Sequence, residues 1–259
     1  MAHGPRRTAI VTGASRGLGR AIALGLASEG CAVVLAARDG RALEHVAEEA
    51  RAAGAPDALI VAGDLSVPEQ PARVVEAAVR RFGGLDILIN NAGATRRGDF
   101  LELPDEDHLA GFALKYHATV RFCRAAWPHL ERSQGVIVNI SGIGGQTPEP
   151  EFTVGGPVNA ALLNFTKALS KRAAGGMRVN ALCPGHIVTD RLHARIETHA
   201  KTHGVGQDEA REALRQSLGI GRFGQPGDIA AMVTFMCSER AAYLHGTTVT
   251  VDGGATPGI

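Results

Sequence analysis

Short β-branched runs alternate with helix-length amphipathic stretches along almost the whole chain, and that alternation restricts the fold more than any single motif. Seven runs read as strands, at 8–12, 32–37, 59–62, 86–90, 136–141, 178–182 and 247–251. Between the first of them lie helical patterns at 17–29, at 41–53 with Leu43, Val46, Ala47 and Ala50 on one stripe, and at 69–82 with Val74, Val75, Ala78, Val79 and Phe82. Each stripe has to be buried against a sheet. Repeated strand, helix, strand units require right-handed crossovers and a parallel sheet covered on both faces. The expectation is an α/β fold in one domain spanning 1–259, a doubly wound, seven-stranded parallel sheet with helices on both faces.

One segment breaks the rhythm. Residues 189–225 form a long, charged insertion of helical character between the sixth and seventh strands, at the carboxyl end of the sheet where a substrate lid would sit. Its His193, His199 and His203 have no pairing that includes all three, so they read as solvated helix faces and not as metal ligands.

Composition narrows the partners. The 259 residues carry 27 Lys and Arg against 26 Asp and Glu, interleaved, which removes the basic footprint of a nucleic-acid binder. An apolar fraction of 45% excludes a disordered chain. Cys31, Cys123, Cys183 and Cys237 form no C-x-x-C pair and no metal-ligand spacing, so buried thiols in a reducing compartment are expected, and no metal. The apolar run in MAHGPRRTAIVTG is too brief for a signal peptide, and no run is long enough to span a bilayer. A cytoplasmic protein without a membrane partner is expected.

The first strand runs into Thr12-Gly13-Ala14-Ser15-Arg16-Gly17-Leu18-Gly19, which opens a helix. Glycines at this spacing permit a tight turn and let backbone N–H groups approach a pyrophosphate, which rests on the positive helix terminus. After the second strand, where an acidic residue would bond the adenosine ribose of NAD, the chain reads Ala36-Ala37-Arg38-Asp39. Ala37 removes a carboxylate that would repel a 2′-phosphate, while Arg38 and Arg16 offer planar cations to it, so NADP(H) is favoured over NAD(H). The other reading, solvated arginines or arginines stacked on adenine, stays open.

Six segments in fixed order, TGASRGLG at 12–19, GDL at 63–65, NNAG at 90–93, PGHIVT at 184–189, GRFGQPGDIA at 221–230 and VTVDGG at 249–254, resemble the short-chain dehydrogenase/reductase family over essentially the whole chain. The resemblance implies a Rossmann-type fold with Asp64 and Leu65 along the adenine and Asn91, Ala92 and Gly93 at the ribose. It also implies Pro184, Gly185, Ile187 and Thr189 at the nicotinamide end, and a homotetramer or homodimer packed through helices near 107–130 and 157–174.

The family reduces carbonyls or oxidises alcohols with a Tyr, a Lys four residues later, a Ser and an Asn. Matching GVIVNISG, NAALLNFTKALS and ALKYHATVRFCRAAWPHL to that pattern puts Gly142 at the Ser position, Gly155 at the Tyr position, Asn159 at the Lys position and Lys115 at the Asn position. A check independent of register agrees: the only two tyrosines, Tyr116 and Tyr243, are followed four residues later by Val120 and Thr247, so no Tyr-x-x-x-Lys exists.

Three residues are candidates for the vacated role. Lys115 would polarise a substrate oxygen or, if desolvated, act as a base or Schiff-base amine. Ser141 is one residue from the expected serine, and His186 follows the Pro-Gly turn with an intrinsic pKa near 6.5 suited to acid catalysis. A loop histidine bonded to backbone is the other reading of His186. Tyr116, rotated about 100° from Lys115 on a helix, reads as packing. Glu149 and Glu151 on the loop QTPEPEFTVGGP are either a base or cation clamp, or solvated charges. The glycines at 142–145 and 155–156 leave room for a bulky substrate or mark a tight turn. Three functions follow: an NADP(H)-dependent oxidoreductase with a rebuilt proton donor, a redox-neutral enzyme (isomerase, lyase or retro-aldol type), or a non-catalytic NADP(H)-binding partner protein.

Overall fold

Seven strands, β1 (Thr8–Thr12), β2 (Ala32–Ala37), β3 (Ala58–Ala62), β4 (Ile87–Asn90), β5 (Val136–Ile140), β6 (Arg178–Pro184) and β7 (Thr248–Val251), pair in parallel in the order β3-β2-β1-β4-β5-β6-β7. This is the computed structural model of the chain, which describes residues 7–257. Ile10 stands between Val34 on one side and Leu88 on the other, so the strand order reverses between β1 and β4. In such sheets the crevice beyond the carboxyl ends of the strands at that switch is the ligand position.

Alternation along the strands divides the core into two layers. Val11, Leu35, Ile89 and Val138 face α1 (Gly17–Ser28), α2 (Gly40–Ala53) and α9 (Pro226–Cys237), where Ile22, Leu26, Leu43, Val46, Ile229 and Val233 close the layer. Ile10, Val34, Leu88 and Ile137 face the other way, onto Val74 and Val75 of α3 (Gln70–Phe82), Phe122 and Leu130 of α5 (Ala118–Ser133), and Phe165 of α6 (Gly155–Ser170). The expected doubly wound sheet and its seven strands are therefore found, with ends moved by one or two residues. Asp86, expected to open the fourth strand, lies just before it and accepts the Thr8 N–H at 2.6 Å. All four cysteines are buried free thiols.

Two departures matter for the site. The helix expected near 107–130 is interrupted: α4 (Asp105–Gly111) passes into a π-turn at Phe112–His117 before α5 begins, and Lys115 sits in that turn. The 189–225 segment forms α7 (Asp190–His203) and α8 (Gln207–Ser217), which bury Leu192, Ile196, Ala210, Leu214 and Phe223 in a small core of their own. Among the described residues no helix is long and apolar enough to cross a membrane.

Candidate active site

The glycine turn is closed by contacts that tolerate no larger residue. Gly13 (φ +66°) and Gly17 (φ +55°) hold left-handed backbone, and a Cβ on Gly19 would run into the Gly13 carbonyl and stand 2.6 Å from Asn91 Nδ2. Asn91 donates from Nδ2 to Thr12 O at 2.9 Å, while Thr12 Oγ1 accepts the N–H groups of Asn91 (2.8 Å) and Ala92 (3.0 Å). Switch-point strands β1 and β4 are thus tied at their carboxyl ends. Among the described residues no side chain caps the first turn of α1, which leaves its N–H groups, beside Ser15, Gly17 and Leu18, for an anion. This cradle fits a dinucleotide pyrophosphate.

At the adenosine end Ala37 is buried and Arg38 exposed, and Asp39 spends its carboxylate on the Ala42 N–H (3.1 Å) as the cap of α2. No acidic side chain takes the ribose position at the end of β2. Asp64 accepts from Ser66 N at 2.9 Å and Ser66 Oγ at 2.7 Å, bonds that hold its pKa below the usual range with help from Arg38. Leu65 packs in the core beneath. Arg16, expected to face a 2′-phosphate, instead pairs with Asp190 at the start of α7 at 3.0 Å, both side chains well exposed.

The opposite wall is the β6–α7 loop. Pro184 ends the strand, Gly185 donates to Val251 O at 3.0 Å, and a Cβ on Gly185 would meet Asp252 Cβ at 2.5 Å. Ile187 is buried and bridges to Gly224, and Thr189, whose Oγ1 donates to Ile187 O at 3.2 Å, lies across from Gly17. The β6–α7 loop and the glycine turn therefore come together at Thr189 and Gly17.

Lys115 is buried beside a glycine of the segment that follows β4. Its side chain lies over Gly93, where a Cβ would come within 2.9 Å of Lys115 Cδ, and Nζ donates to Ser141 O at 2.7 Å. Burial first, and then the Arg191 cation, bring its pKa down from 10.5 to about 7. Ser141 Oγ points the other way and donates to Asn159 O at 3.0 Å, so its carbonyl, and not its hydroxyl, serves Lys115. Tyr116 packs edge-on to Phe112 and Phe165, as its place on the helix predicts.

The glycine floor is not open. Phe152 lies against both Gly144, where a Cβ would be 2.7 Å from its ring, and Gly155, whose Cβ position the ring occupies. The room expected above these glycines is filled by the protein's own aromatic ring. Gly142 holds φ +151°, and a Cβ there would meet Asn159 Nδ2 at 3.0 Å. Asn159 Oδ1 is buried and has no hydrogen-bond partner among the described residues, an acceptor open to one more donor.

His186 does not have the titration its intrinsic pKa suggests. Burial and then the neighbouring Arg195 push it down to about 4, so its imidazole is neutral at neutral pH. Arg195 Nη1 lies 3.2 Å from His186 Nδ1, and Arg195 Nη2 reaches Glu149 Oε2 at 3.3 Å. Arg97 Nη2 donates to the same Glu149 oxygen at 2.8 Å and stacks over Phe152 at 4.4 Å. Of the loop carboxylates, then, Glu149 clamps two cations. Arg191, on the same face of α7 as Arg195, donates to Gly93 O at 2.9 Å. Sequence reasoning singled out none of these three arginines; the available signal was the i,i+4 spacing of Arg191 and Arg195 in the charged insertion.

A family model described as enoyl-(acyl carrier protein) reductase matches residues 13–256. An uncharacterised oxidoreductase of Mycobacterium tuberculosis is 37% identical over 252 residues, covering 96% of this chain and 92% of that protein. The NADPH-dependent reductase BacG of Bacillus subtilis is 33% identical over 258 residues, covering 98% of this chain and 99% of that one. Among solved structures, the L-sorbose reductase from Gluconobacter frateurii complexed with NADPH and L-sorbose has a TM-score of 0.93 at 32% identity, covering 98% of each chain.

Proposed function

The chain belongs to the short-chain dehydrogenase/reductase family, and on that premise we propose that it is an NADPH-dependent oxidoreductase of a carbonyl or alcohol substrate, with Lys115 as its proton donor. The observation that carries this reading is the buried Lys115 ammonium beside the glycine cradle, bonded only to Ser141 O among the described residues. Two of its three N–H groups remain for a substrate oxygen. Ala37, Arg38 and the diverted Asp39 carboxylate support NADPH over NADH, as do the relatives whose names or bound ligand include NADPH.

Bound in the cradle, NADPH would supply a hydride to the carbonyl carbon. Lys115 hands a proton from Nζ to the carbonyl oxygen, and a pKa of about 7 lets it give that proton up and regain it from solvent at neutral pH. Arg191 disfavours the ammonium and so drives the transfer. Ser141 O aims Nζ, and neutral His186 shapes the wall without donating as an imidazolium. Asn159 Oδ1 takes a ribose or substrate hydroxyl. α7 and α8 act as the substrate lid, and α5 and α6 carry the homodimer or homotetramer contacts.

The test follows NADPH absorbance with a panel of ketones and aldehydes in the wild type and in Lys115→Ala. Stoichiometric NADPH loss and alcohol formation that Lys115→Ala abolishes, with NADPH affinity retained, support the reading. Product formed without NADPH loss identifies a redox-neutral enzyme, and tight NADPH binding without any turnover identifies a binding protein; either outcome overturns it.

A further inference from the structure

We propose that the cleft takes a substrate bearing a carboxylate, seated on the open donors of Arg97 and Arg195 with its carbonyl directed to Lys115. This rests on the reading of the crevice as a carbonyl site and adds the chemical class of the molecule it accepts. The two guanidinium groups come from residues almost a hundred positions apart in the chain, converge on one carboxylate oxygen of Glu149, and are about three-quarters buried, at 29% and 26% side-chain exposure.

Each guanidinium has five N–H donors. Among the described residues, Arg97 uses one of its groups on Glu149 and none elsewhere, and Arg195 adds only the contact to His186. Arg191 stands nearby with a backbone carbonyl as its partner and no carboxylate. Burial, followed by repulsion from Arg97, lowers the pKa of both Arg191 and Arg195. The acids facing this group are Glu149, Glu151 toward Arg195, and Asp252 behind His186, whose own oxygens accept from Gly254 N and Thr256 N. A largely buried gathering of three cations around one shared carboxylate keeps spare donors and gains from a ligand anion.

Glu149 itself shows which anion fits. Its planar carboxylate already bridges Arg97 and Arg195, the geometry a substrate carboxylate would share or take over. Phe152, under the Arg97 plane and against Gly155, supplies an apolar wall for the carbon skeleton. The inferred class is a small oxo acid with its carbonyl close enough to the carboxylate to span the distance from the arginines to Lys115.

The experiment titrates the protein loaded with NADP+ calorimetrically with acetoacetate and phenylpyruvate, and with the methyl ester of each, in the wild type, Arg97→Gln and Arg195→Gln. The expected result is that at least one acid binds roughly tenfold or more tightly than its ester, and that each substitution removes about tenfold of acid affinity, as expected for a lost charge-assisted bond, while ester and NADP+ affinities hold. Equal binding of acid and ester, no acid binding at millimolar concentration, or a variant that keeps the wild-type acid affinity overturns the proposal. Inorganic phosphate that outcompetes both acids overturns the carboxylate assignment. The wild-type acid and ester comparison stands even if a variant misfolds. Acid binding without NADPH oxidation would defeat the reductase reading alone, whereas NADPH oxidation with neutral ketones only would defeat this one.

Discussion

Phe152 lays its ring across Gly155, in the space a side chain at 155 would need. The contact joins the 146–154 loop to the first turn of α6. A methyl group added at 155 therefore meets the ring directly. Gly155→Ala should destabilise the fold by roughly 1–3 kcal/mol, the usual cost of overpacking. In a Phe152→Ala background the same change should be nearly neutral. Thermal denaturation of the four-member cycle measures the coupling, and additive effects would contradict the contact.

Reduction should weaken with rising pH. If Lys115 gives the proton, the competent form is the ammonium, which is lost as pH climbs through about 7. The pH profile of kcat for carbonyl reduction should therefore fall on the alkaline side of neutrality, and alcohol oxidation should rise there. A flat profile across that range excludes Lys115 as the acid.

The same lysine works against stability. Its pKa is about 7 in the fold and 10.5 for an ordinary lysine, so between those values the unfolded chain binds the proton that the fold gives up. Its contribution makes stability increase with pH across that window, and below it the penalty is fully present. Lys115→Met should raise the urea midpoint at neutral pH by the equivalent of roughly 2 kcal/mol or more and flatten the alkaline rise, while abolishing turnover.

His186 acts with the same sign in a lower window. Its pKa of about 4 lies below the ordinary 6.5, so as pH falls from about 6.5 the unfolded chain takes up a proton that the fold refuses, and stability is lost. His186→Gln should reduce the loss of unfolding free energy between neutral pH and mildly acid pH by about 1–2 kcal/mol, discounted for the part of the ring that solvent reaches. Matched urea titrations at the two pH values decide it.

Coenzyme choice should hinge on Arg38. Arg38→Ala is expected to weaken NADPH binding by about ten- to a hundredfold, the worth of a charge-assisted bond, and to leave NADH unchanged. Fluorescence titration with both coenzymes gives the ratio directly.

Much of this was written locally. Runs such as AIVTG and VVLAA are short, β-branched and bounded by turn residues, and Gly13, Gly17 and Gly19 stand where only a close backbone approach explains them. Lys115 was legible only through motif register, which singled it out as a candidate. What stayed hidden depends on residues distant in sequence. Phe152 closing over Gly144 and Gly155, and Arg97 meeting Arg195 on Glu149, are decided by how a loop settles on a helix. The lowered proton affinity of His186 belongs with these, because it comes first from burial and then from Arg195 on α7, and no local pattern reveals either.

The occupied glycine floor also decides which side chains positions 142 and 155 can carry. Gly142 has a backbone angle that favours glycine, Asn159 crowds the space above it, and Phe152 bars position 155. A larger residue at 142 would have to adopt that backbone angle and push Asn159 aside, and one at 155 would have to evict the Phe152 ring. Packing alone thus reserves both positions for glycine, whatever molecule the site receives, for as long as Phe152 and Asn159 keep their places.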